Sequence, residues 1–226
     1  MVIKRLQNIV FPPDIYGLLR TLSISGFFDR SLLVGSWVMS IYQELYNVKY
    51  VLKTLDVDFA VHIAHQRNDN KADLEKMISD IGFSDFISAQ GLQKFTAGGY
   101  EIEFVAHRQG GRERNIVVVK EWNITAQPLP FINILIEFSE LAEMDDFFIR
   151  FPIPEAFFLH KLIIAQKRRN DAKQAKDLDQ CTILKDIINH DQLGRVIKSQ
   201  KMSKDTRRCI HISSEAIEYP LHEYDI

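Results

Sequence analysis

The fold of this chain is decided by two stretches of sequence, SLLVGSW at residues 31–37 and TLDVDFAVH at residues 54–62. The first is an apolar run that stops at Gly35-Ser36, after which apolar residues recur at helical spacing. The second alternates carboxylates with apolar residues, as a half-buried strand does. Together they predict a strand, a helix that opens on a glycine-serine turn, and a second strand with two carboxylates. That layout suits a site that holds a nucleoside triphosphate and its metal ions.

The composition is that of an ordinary globular protein. The chain has 226 residues, of which 46% are hydrophobic and 26% charged, and its formal net charge is -2, so no charge balance points to a partner. Cys181 and Cys209 lack the spacing of a disulfide framework or a zinc site, which favours a reducing, cytoplasmic location. The apolar runs at 131–138 and 157–165 are too short to span a membrane. Residues 1–11 lack the apolar core of a secretory signal.

The predicted elements change character near Pro152, with short strands dominating before it and helices after it. Helices are predicted over 13–24, 37–46, 73–81, 153–169 and 172–188, followed by two shorter ones. Strands are predicted over 31–34, 51–63, 95–96, 100–105 and 116–119, with turns at Gly98-Gly99 and Gly110-Gly111. The expected architecture is α+β, a small mixed β-sheet backed by helices. Residues 1–150 would form the main domain, with a helical region 151–226 packed on it.

The candidate chemistry follows from alternation along two of these strands. Asp56 and Asp58 share one face of their strand, and Glu101 and Glu103 share one face of a later strand. The two aspartates are separated by roughly 6.6 Å at their Cα atoms, close enough for their carboxylates to converge on one metal site. If the later strand pairs beside the first, Glu103 or Glu101 completes the cluster. Hard oxygen ligands without a thiolate suit Mg²⁺ or Mn²⁺ rather than zinc.

Two further features have weaker functional interpretations. His62 and His65 form an H-x-x-H pair, but no third ligand follows at a recognisable spacing, so a zinc site is not predicted. Between Lys161 and Arg208 there are 13 Lys or Arg and 6 Asp or Glu. A solvated helical surface accounts for this excess, and so does attraction of a triphosphate or an RNA acceptor. RNA is unsupported, because the aromatic residues are not interleaved with the basic ones and no RNA-binding motif is recognised.

These residues resemble the signature of the DNA polymerase β-like nucleotidyltransferase superfamily. The matching features are Gly35-Ser36, then Asp56-x-Asp58, then an acidic residue within an Ile-Glu-Phe strand. A later segment, PIPEAFFLHKL at 152–162 with KRR at 167–169 and KDLDQ at 176–180, is similar to bacterial stand-alone nucleotidyltransferase-like proteins. The resemblance extends over residues 33–188, most of the chain.

The resemblance implies a role for each residue of the first motif. Gly35 and Ser36 would hold the β- and γ-phosphates through backbone N–H groups at the start of a helix. Asp56 and Asp58 would bind both metal ions, Mg²⁺ or Mn²⁺. Glu103 would bind the ion that activates the acceptor hydroxyl.

The implied reaction moves a nucleoside monophosphate from an NTP, with ATP as the expected donor, to a hydroxyl acceptor, and releases pyrophosphate. Lys161 would neutralise phosphate charge, and the basic group at 167–176 would add to this or bind the acceptor. The sequence does not indicate the acceptor class. The third carboxylate of the superfamily is commonly Asp, whereas Glu103 has one more methylene. This departure leaves an alternative, a catalytically inactive binding or regulatory protein with the same fold.

Overall fold

The structure is a computed structural model that describes residues 3–9, 11–63, 72–108, 115–219 and 221. Within these residues the chain has the predicted α+β character, with ten strands and eight α-helices. The strands are β1 Lys4–Leu6, β2 Leu32–Val34, β3 Asp56–Val61, β4 Ser84–Ile87, β5 Gln93–Ala97, β6 Tyr100–His107, β7 Val117–Val119, β8 Ile124–Leu129, β9 Ser139–Met144 and β10 Phe147–Pro152. The helices are α1 Pro13–Ile24, α2 Val38–Tyr46, α3 Leu74–Asp80, α4 Ile132–Glu137, α5 Pro154–Ala165, α6 Asp171–Leu184, α7 His190–Ser199 and α8 Lys204–Ala216. The predicted Gly110-Gly111 turn lies outside the described residues.

The larger sheet is mixed and has the strand order β2-β3-β6-β5-β4, with β8 paired to the end of β6 and β7 paired to β8. β3 and β6 run parallel, with Asp56 opposite Glu101 and Asp58 opposite Glu103. β2 is antiparallel to β3, and β5 is antiparallel to β6 across a two-glycine turn. The two acidic strands predicted from the sequence are therefore neighbours at the centre of this sheet.

β3 is shorter than the predicted strand over 51–63. It begins at Asp56, whose backbone N–H donates to the Thr54 side-chain oxygen at 3.2 Å. Just before that point, the carbonyl of Leu55 accepts a hydrogen bond from the N–H of Glu101 on β6 at 3.1 Å. The shorter strand leaves Asp56 exposed at its open end.

A second sheet, β1-β9-β10, was not predicted from the sequence. It joins helix α2 through polar contacts, such as the bond from the Tyr46 hydroxyl to Glu140 Oε1 at 3.1 Å and the bond from the Tyr42 hydroxyl to the Pro152 carbonyl at 2.7 Å. β1 and β9 are far apart in the chain, and the pattern within a three-residue strand is too short to indicate its partner.

One hydrophobic core extends from the large sheet to the C-terminal helices. Beneath the acidic face of β3 and β6, Phe59 and Phe104 lie with their ring centroids 5.9 and 5.8 Å from that of Phe27. Trp122 contacts Phe27 from another side at 5.7 Å. The aromatic cluster holds the two strands together on the face opposite the carboxylates.

α5 is buried almost all round and packs against α4, α6, α7 and α8. The predicted helical character after Pro152 is confirmed, and the division of the chain at residue 150 stays a prediction. Among the described helices, none combines the length and the apolar character that a membrane span needs.

We predict that Phe27→Ala lowers the free energy of unfolding by about 3–5 kcal/mol, because it opens a cavity under β3 and β6. The matched control is Phe86→Ala on the edge strand β4, where the residue is 39% exposed and the expected loss is below about 1 kcal/mol. Urea denaturation measures both. Equal losses for the two variants would contradict this assignment of the core.

Candidate active site

The large sheet brings a row of side chains together at its centre. Asp58 lies between Val34 on β2 and Glu103 on β6. Because neighbouring strands are about 4.8 Å apart, this register sets the side chains of Asp58 and Glu103 next to each other on one face. Asp56 and Glu101 form the next pair toward the start of β3.

The row borders a cleft of about 480 Å³ between the sheet and the helices α5 and α6. The cleft is lined by every site residue predicted from the sequence, namely Gly35, Ser36, Asp56, Asp58, Glu103 and Lys161. The strands contribute carboxylates, whereas α5, α6 and the segment between them contribute Lys161, Lys167, Arg168, Lys173 and Lys176. The cleft thus has an acidic side and a basic side.

Gly35 lies at the turn between β2 and α2, and glycine is required there for two reasons. Its φ of +69° is in the left-handed region that L side chains rarely adopt. A Cβ at this position would lie 2.2 Å from the Oδ2 atom of Asp58. The missing side chain therefore gives the Asp58 carboxylate its place against the turn.

Ser36 is tied to α6 by a buried hydrogen bond. Its hydroxyl oxygen accepts from Nε2 of Gln180 at 3.0 Å, and the same nitrogen donates to the Tyr50 hydroxyl at 3.0 Å. Gln180 is fully buried and was not predicted as a site residue. It lies in the KDLDQ segment at 176–180, and the resemblance of that segment to nucleotidyltransferase-like proteins is the signal that could have indicated it.

The ionised form of the Asp58 carboxylate is destabilised by its surroundings. Burial, and then the charges of Glu103 and Asp56, raise the pKa of Asp58 to about 6, although Lys161 and Lys176 act in the opposite direction. Negative charge is thus concentrated here beyond what the nearby cations balance. Such perturbed carboxylates in a cleft are typical of functional sites.

The basic side is organised around Asp177, a buried residue that was not predicted as a site residue. Its two oxygens accept from Lys161 Nζ at 2.6 Å and from Arg168 Nε at 2.7 Å. Although burial acts to raise it, these two cations lower the pKa of Asp177. Lys161 therefore lines the cleft as the partner of a carboxylate.

Lys173 and Lys176 lie three residues apart on α6 and have no ion pair among the described residues. Burial, and then the charge of Lys161, lower the pKa of Lys176, while Asp56 and Asp58 oppose that shift. These two lysines are the cations in the described part of the cleft that remain available to an anionic ligand.

His160 is a buried histidine in the wall of the cleft. Burial and the neighbouring charge of Lys161 lower the pKa of His160 to about 3, so the imidazole is neutral at physiological pH. Its Nδ1 has no hydrogen-bond partner among the described residues. Of the H-x-x-H pair, His62 lines a separate cavity of about 350 Å³, and His65 lies outside the described residues.

Lys94 on β5 binds both glutamates of the neighbouring strand. Its ammonium is 2.6 Å from Glu101 Oε1 and is also bonded to Glu103. These bonds raise the pKa of Lys94 even though burial acts to lower it. β5 and β6 are antiparallel and Phe95 pairs with Ile102, so the preceding residue on β5, Lys94, lies opposite the following residue on β6, Glu103. Lys94 was not predicted from the sequence, although the glycine turn between β5 and β6 could have indicated this register.

A nucleotidyltransferase family profile matches residues 14–203, most of the chain. The chain belongs to this nucleotidyltransferase family. Its fold also resembles the crystal structure of an antigenic nucleotidyltransferase-like protein from Paracoccidioides brasiliensis, with a TM-score of 0.55 at 10% sequence identity over 90% of this chain and 89% of that chain. Similarity at this identity shows the fold alone. A comparison with curated proteins finds no significant match. Family and fold support nucleotidyl transfer as the general reaction class.

Nucleotidyltransferases generally use divalent metal ions, and the acidic side of the cleft fits such an ion in its chemistry. Asp56 and Asp58 offer hard oxygen ligands, and the raised pKa of Asp58 indicates negative charge that a divalent cation would balance. Among the described residues, no three His, Cys, Asp or Glu side chains form a ready ligand set. The carboxylate of Glu103 is instead bonded to Lys94.

We predict that Gly35→Ala destabilises the protein by about 1–2 kcal/mol through its backbone conformation, and that it also displaces the Asp58 carboxylate. The control is Gly17→Ala in α1, where no atom lies within 4 Å of the added Cβ and helix propensity gains up to about 1 kcal/mol. Urea denaturation compares the two. A neutral Gly35→Ala variant would show that the turn can relax.

The raised pKa of Asp58 predicts a pH-dependent stability. Because the folded-state pKa of about 6 exceeds the unfolded value, the protonated group contributes stability below about pH 4, and this contribution is lost as the pH rises through 6. Asp58→Asn should therefore raise the free energy of unfolding at pH 7.5 by about 1–3 kcal/mol, with a smaller gain at pH 4.5.

Urea denaturation in the presence of a chelator measures this difference at both pH values. The exposed Asp179 on α6 provides the control, since Asp179→Asn should change stability by less than about 0.5 kcal/mol. An Asp58→Asn variant less stable than wild type at pH 7.5 would contradict the prediction.

Proposed function

We propose that the protein is a metal-dependent nucleotidyltransferase that moves a nucleoside monophosphate from an NTP, ATP in the first instance, to a hydroxyl acceptor with release of pyrophosphate. The observation that carries the proposal is the two-sided cleft. Carboxylates from adjacent strands line the same space as Lys173 and Lys176 of α6, which have no ion pair in the described part of the chain. A metal-bound triphosphate has the complementary charge pattern, with phosphate oxygens for the lysines and a cation for the carboxylates.

The phosphates would be held at the turn between β2 and α2. Gly35 and Ser36 lie at the start of a helix, where backbone N–H groups and the helix dipole favour anions. Gln180 on α6 donates a buried hydrogen bond to the Ser36 hydroxyl and so fixes this end of the turn. Lys173 and Lys176 would neutralise phosphate charge, since neither is committed to an ion pair among the described residues.

The carboxylates would hold the divalent ions, with Asp56 and Asp58 as the shared ligands and Glu103 as the third. When bound, such ions stabilise the charge that develops on phosphate oxygens. The Asp58 carboxylate packs against Gly35, next to the turn that we propose holds the phosphates. This proximity would align the donor for in-line attack.

Lys161 has a positioning role in this proposal as well as an electrostatic one. Asp177 binds Lys161 and Arg168 together, so this triad has one net positive charge. The pairing orients Lys161 in the cleft wall and offsets part of its burial cost. Lys161 would thus neutralise phosphate charge from a fixed position.

One observation favours a second candidate function, a nucleotide-binding protein that does not catalyse transfer. Glu103, the proposed third ligand, is bonded to Lys94 and has the longer side chain where the superfamily commonly has Asp. In that case Asp56 and Asp58 would still bind a metal-nucleotide complex, and the protein would act as a sensor or partner.

The test uses NTPs labelled at the α-phosphate, incubated with the protein, Mg²⁺ or Mn²⁺, and a cell extract that supplies acceptors. We expect a labelled product whose yield falls at least about 100-fold in Asp56→Asn and Asp58→Asn, with Asp179→Asn as the control. Because Asp58→Asn is expected to be as stable as wild type or more so, the loss would reflect chemistry.

The same samples separate the two candidate functions. Metal-dependent NTP binding that is lost in Asp58→Asn, with no labelled product from wild type, would favour the binding protein. NTP affinity that is the same in wild type, Asp56→Asn and Asp58→Asn would overturn both.

A further inference from the structure

The bond between Lys94 and Glu103 has no part in the proposed transfer reaction. The exposed fractions of these side chains are 18% and 20%, and that of Glu101 is 35%. A pair this sheltered is screened by salt less than a surface pair. The ion pair with Lys94 therefore restrains the position of the Glu103 carboxylate.

The strand order places Glu103 between two competing partners. β6 lies between β5 and β3, so Lys94 is on one side of Glu103 and Asp58 on the other. Compared with Asp, Glu has one more methylene and one more rotatable bond. The Glu103 carboxylate can thus turn either toward the ammonium on β5 or toward the aspartates on β3.

We propose that Lys94 competes with a divalent cation for the Glu103 carboxylate, and that it keeps this third ligand away from the metal site until the cation binds. The inference rests on the proposed function, because it takes Asp56 and Asp58 as metal ligands. Lys94 is a positioning residue in this scheme, since it acts through Glu103.

Glu101 makes such a transfer feasible. Its Oε1 is 2.6 Å from Lys94 Nζ, so the ammonium keeps one charged partner when Glu103 turns away. A half-buried cation that loses all of its charged partners would be destabilised. The exchange therefore replaces one ammonium-carboxylate bond with a metal-carboxylate bond and leaves Lys94 paired.

Competition has a reciprocal consequence, because two cations that share one ligand weaken each other's binding by the same factor. Lys94→Met should raise the affinity for Mn²⁺ by roughly fivefold or more. Lys94→Arg keeps the charge and should bind Mn²⁺ much as wild type does. The control is Lys76→Met, which removes an exposed lysine paired with Asp80 on α3 and should leave the affinity unchanged.

Electron paramagnetic resonance of free Mn²⁺ measures these affinities without any turnover. A double-mutant cycle then tests whether the effect passes through Glu103. In the Glu103→Gln background, Lys94→Met should no longer raise the Mn²⁺ affinity. An increase of the same size in both backgrounds would indicate a general charge effect and would overturn the proposal.

If Lys94→Met fails to fold, the unaltered protein provides the second test. Modification of lysines by an amine-acetylating reagent, followed by mass spectrometry, reports how accessible each ammonium is. Mn²⁺ should increase the modification of Lys94 relative to that of Lys76, because one of its two carboxylate partners is withdrawn. Unchanged modification of Lys94 at saturating Mn²⁺ would overturn the competition.

The failure of this inference can be distinguished from failure of the proposed function. Mn²⁺ binding that is lost in Asp58→Asn but has the same or lower affinity in Lys94→Met would overturn the role of Lys94 alone. Absence of Mn²⁺ binding in both wild type and Lys94→Met would overturn the metal-dependent function as well.

Discussion

The parallel, in-register pairing of β3 with β6 is the constraint on which the rest of the structure depends. It sets Asp58 beside Glu103 and Asp56 beside Glu101, and like charges in adjacent strands repel. The fold offsets this repulsion from two sides. Below the sheet, aromatic rings clustered around Phe27 hold the strands together, and on the acidic face the Lys94 ammonium binds both glutamates.

The same pairing explains the turn that precedes α2. Because Asp58 also pairs with Val34 on β2, its carboxylate projects into the space that a side chain at position 35 would occupy. Glycine is the residue that satisfies both this approach and the left-handed backbone. The acidic strands and the glycine-serine turn are therefore one structural unit, and a change in either moves the other.

The basic side of the cleft is built in a different way. Asp177 neutralises part of the charge of Lys161 and Arg168 and fixes both, whereas Lys173 and Lys176 lie unpaired among the described residues. The cations bound to Asp177 are thus partly neutralised within the fold, whereas Lys173 and Lys176 keep their full charge for a ligand. On the acidic side, the raised pKa of Asp58 shows that its charged form is destabilised in the fold. The protein is less stable for keeping this charge, but the charge attracts cations to the site.

Much of this arrangement could be predicted from local patterns. Helix α1 was predicted over the residues at which it is observed, and the strand alternation placed Asp56 and Asp58 on one face because side chains in a strand have a period of two. The same rule indicated Glu103. The second sheet was missed because the pairing of β1 with β9 joins distant segments, and β3 was predicted too long because exposed residues before Asp56 continue its apolar pattern.

The sequence by itself determined which side chains share a face of a strand, where helix α1 begins and ends, and which residue types could bind phosphate and metal. Those properties depend on the periodicity of side chains along a strand or helix and on residues that are close in sequence. Only the tertiary structure decided the partners: Lys94 with Glu103, Lys161 with Asp177, and Ser36 with Gln180. Each of these pairs joins different strands, helices or turns, and the energy of an ion pair or hydrogen bond depends on the distance that the complete fold imposes.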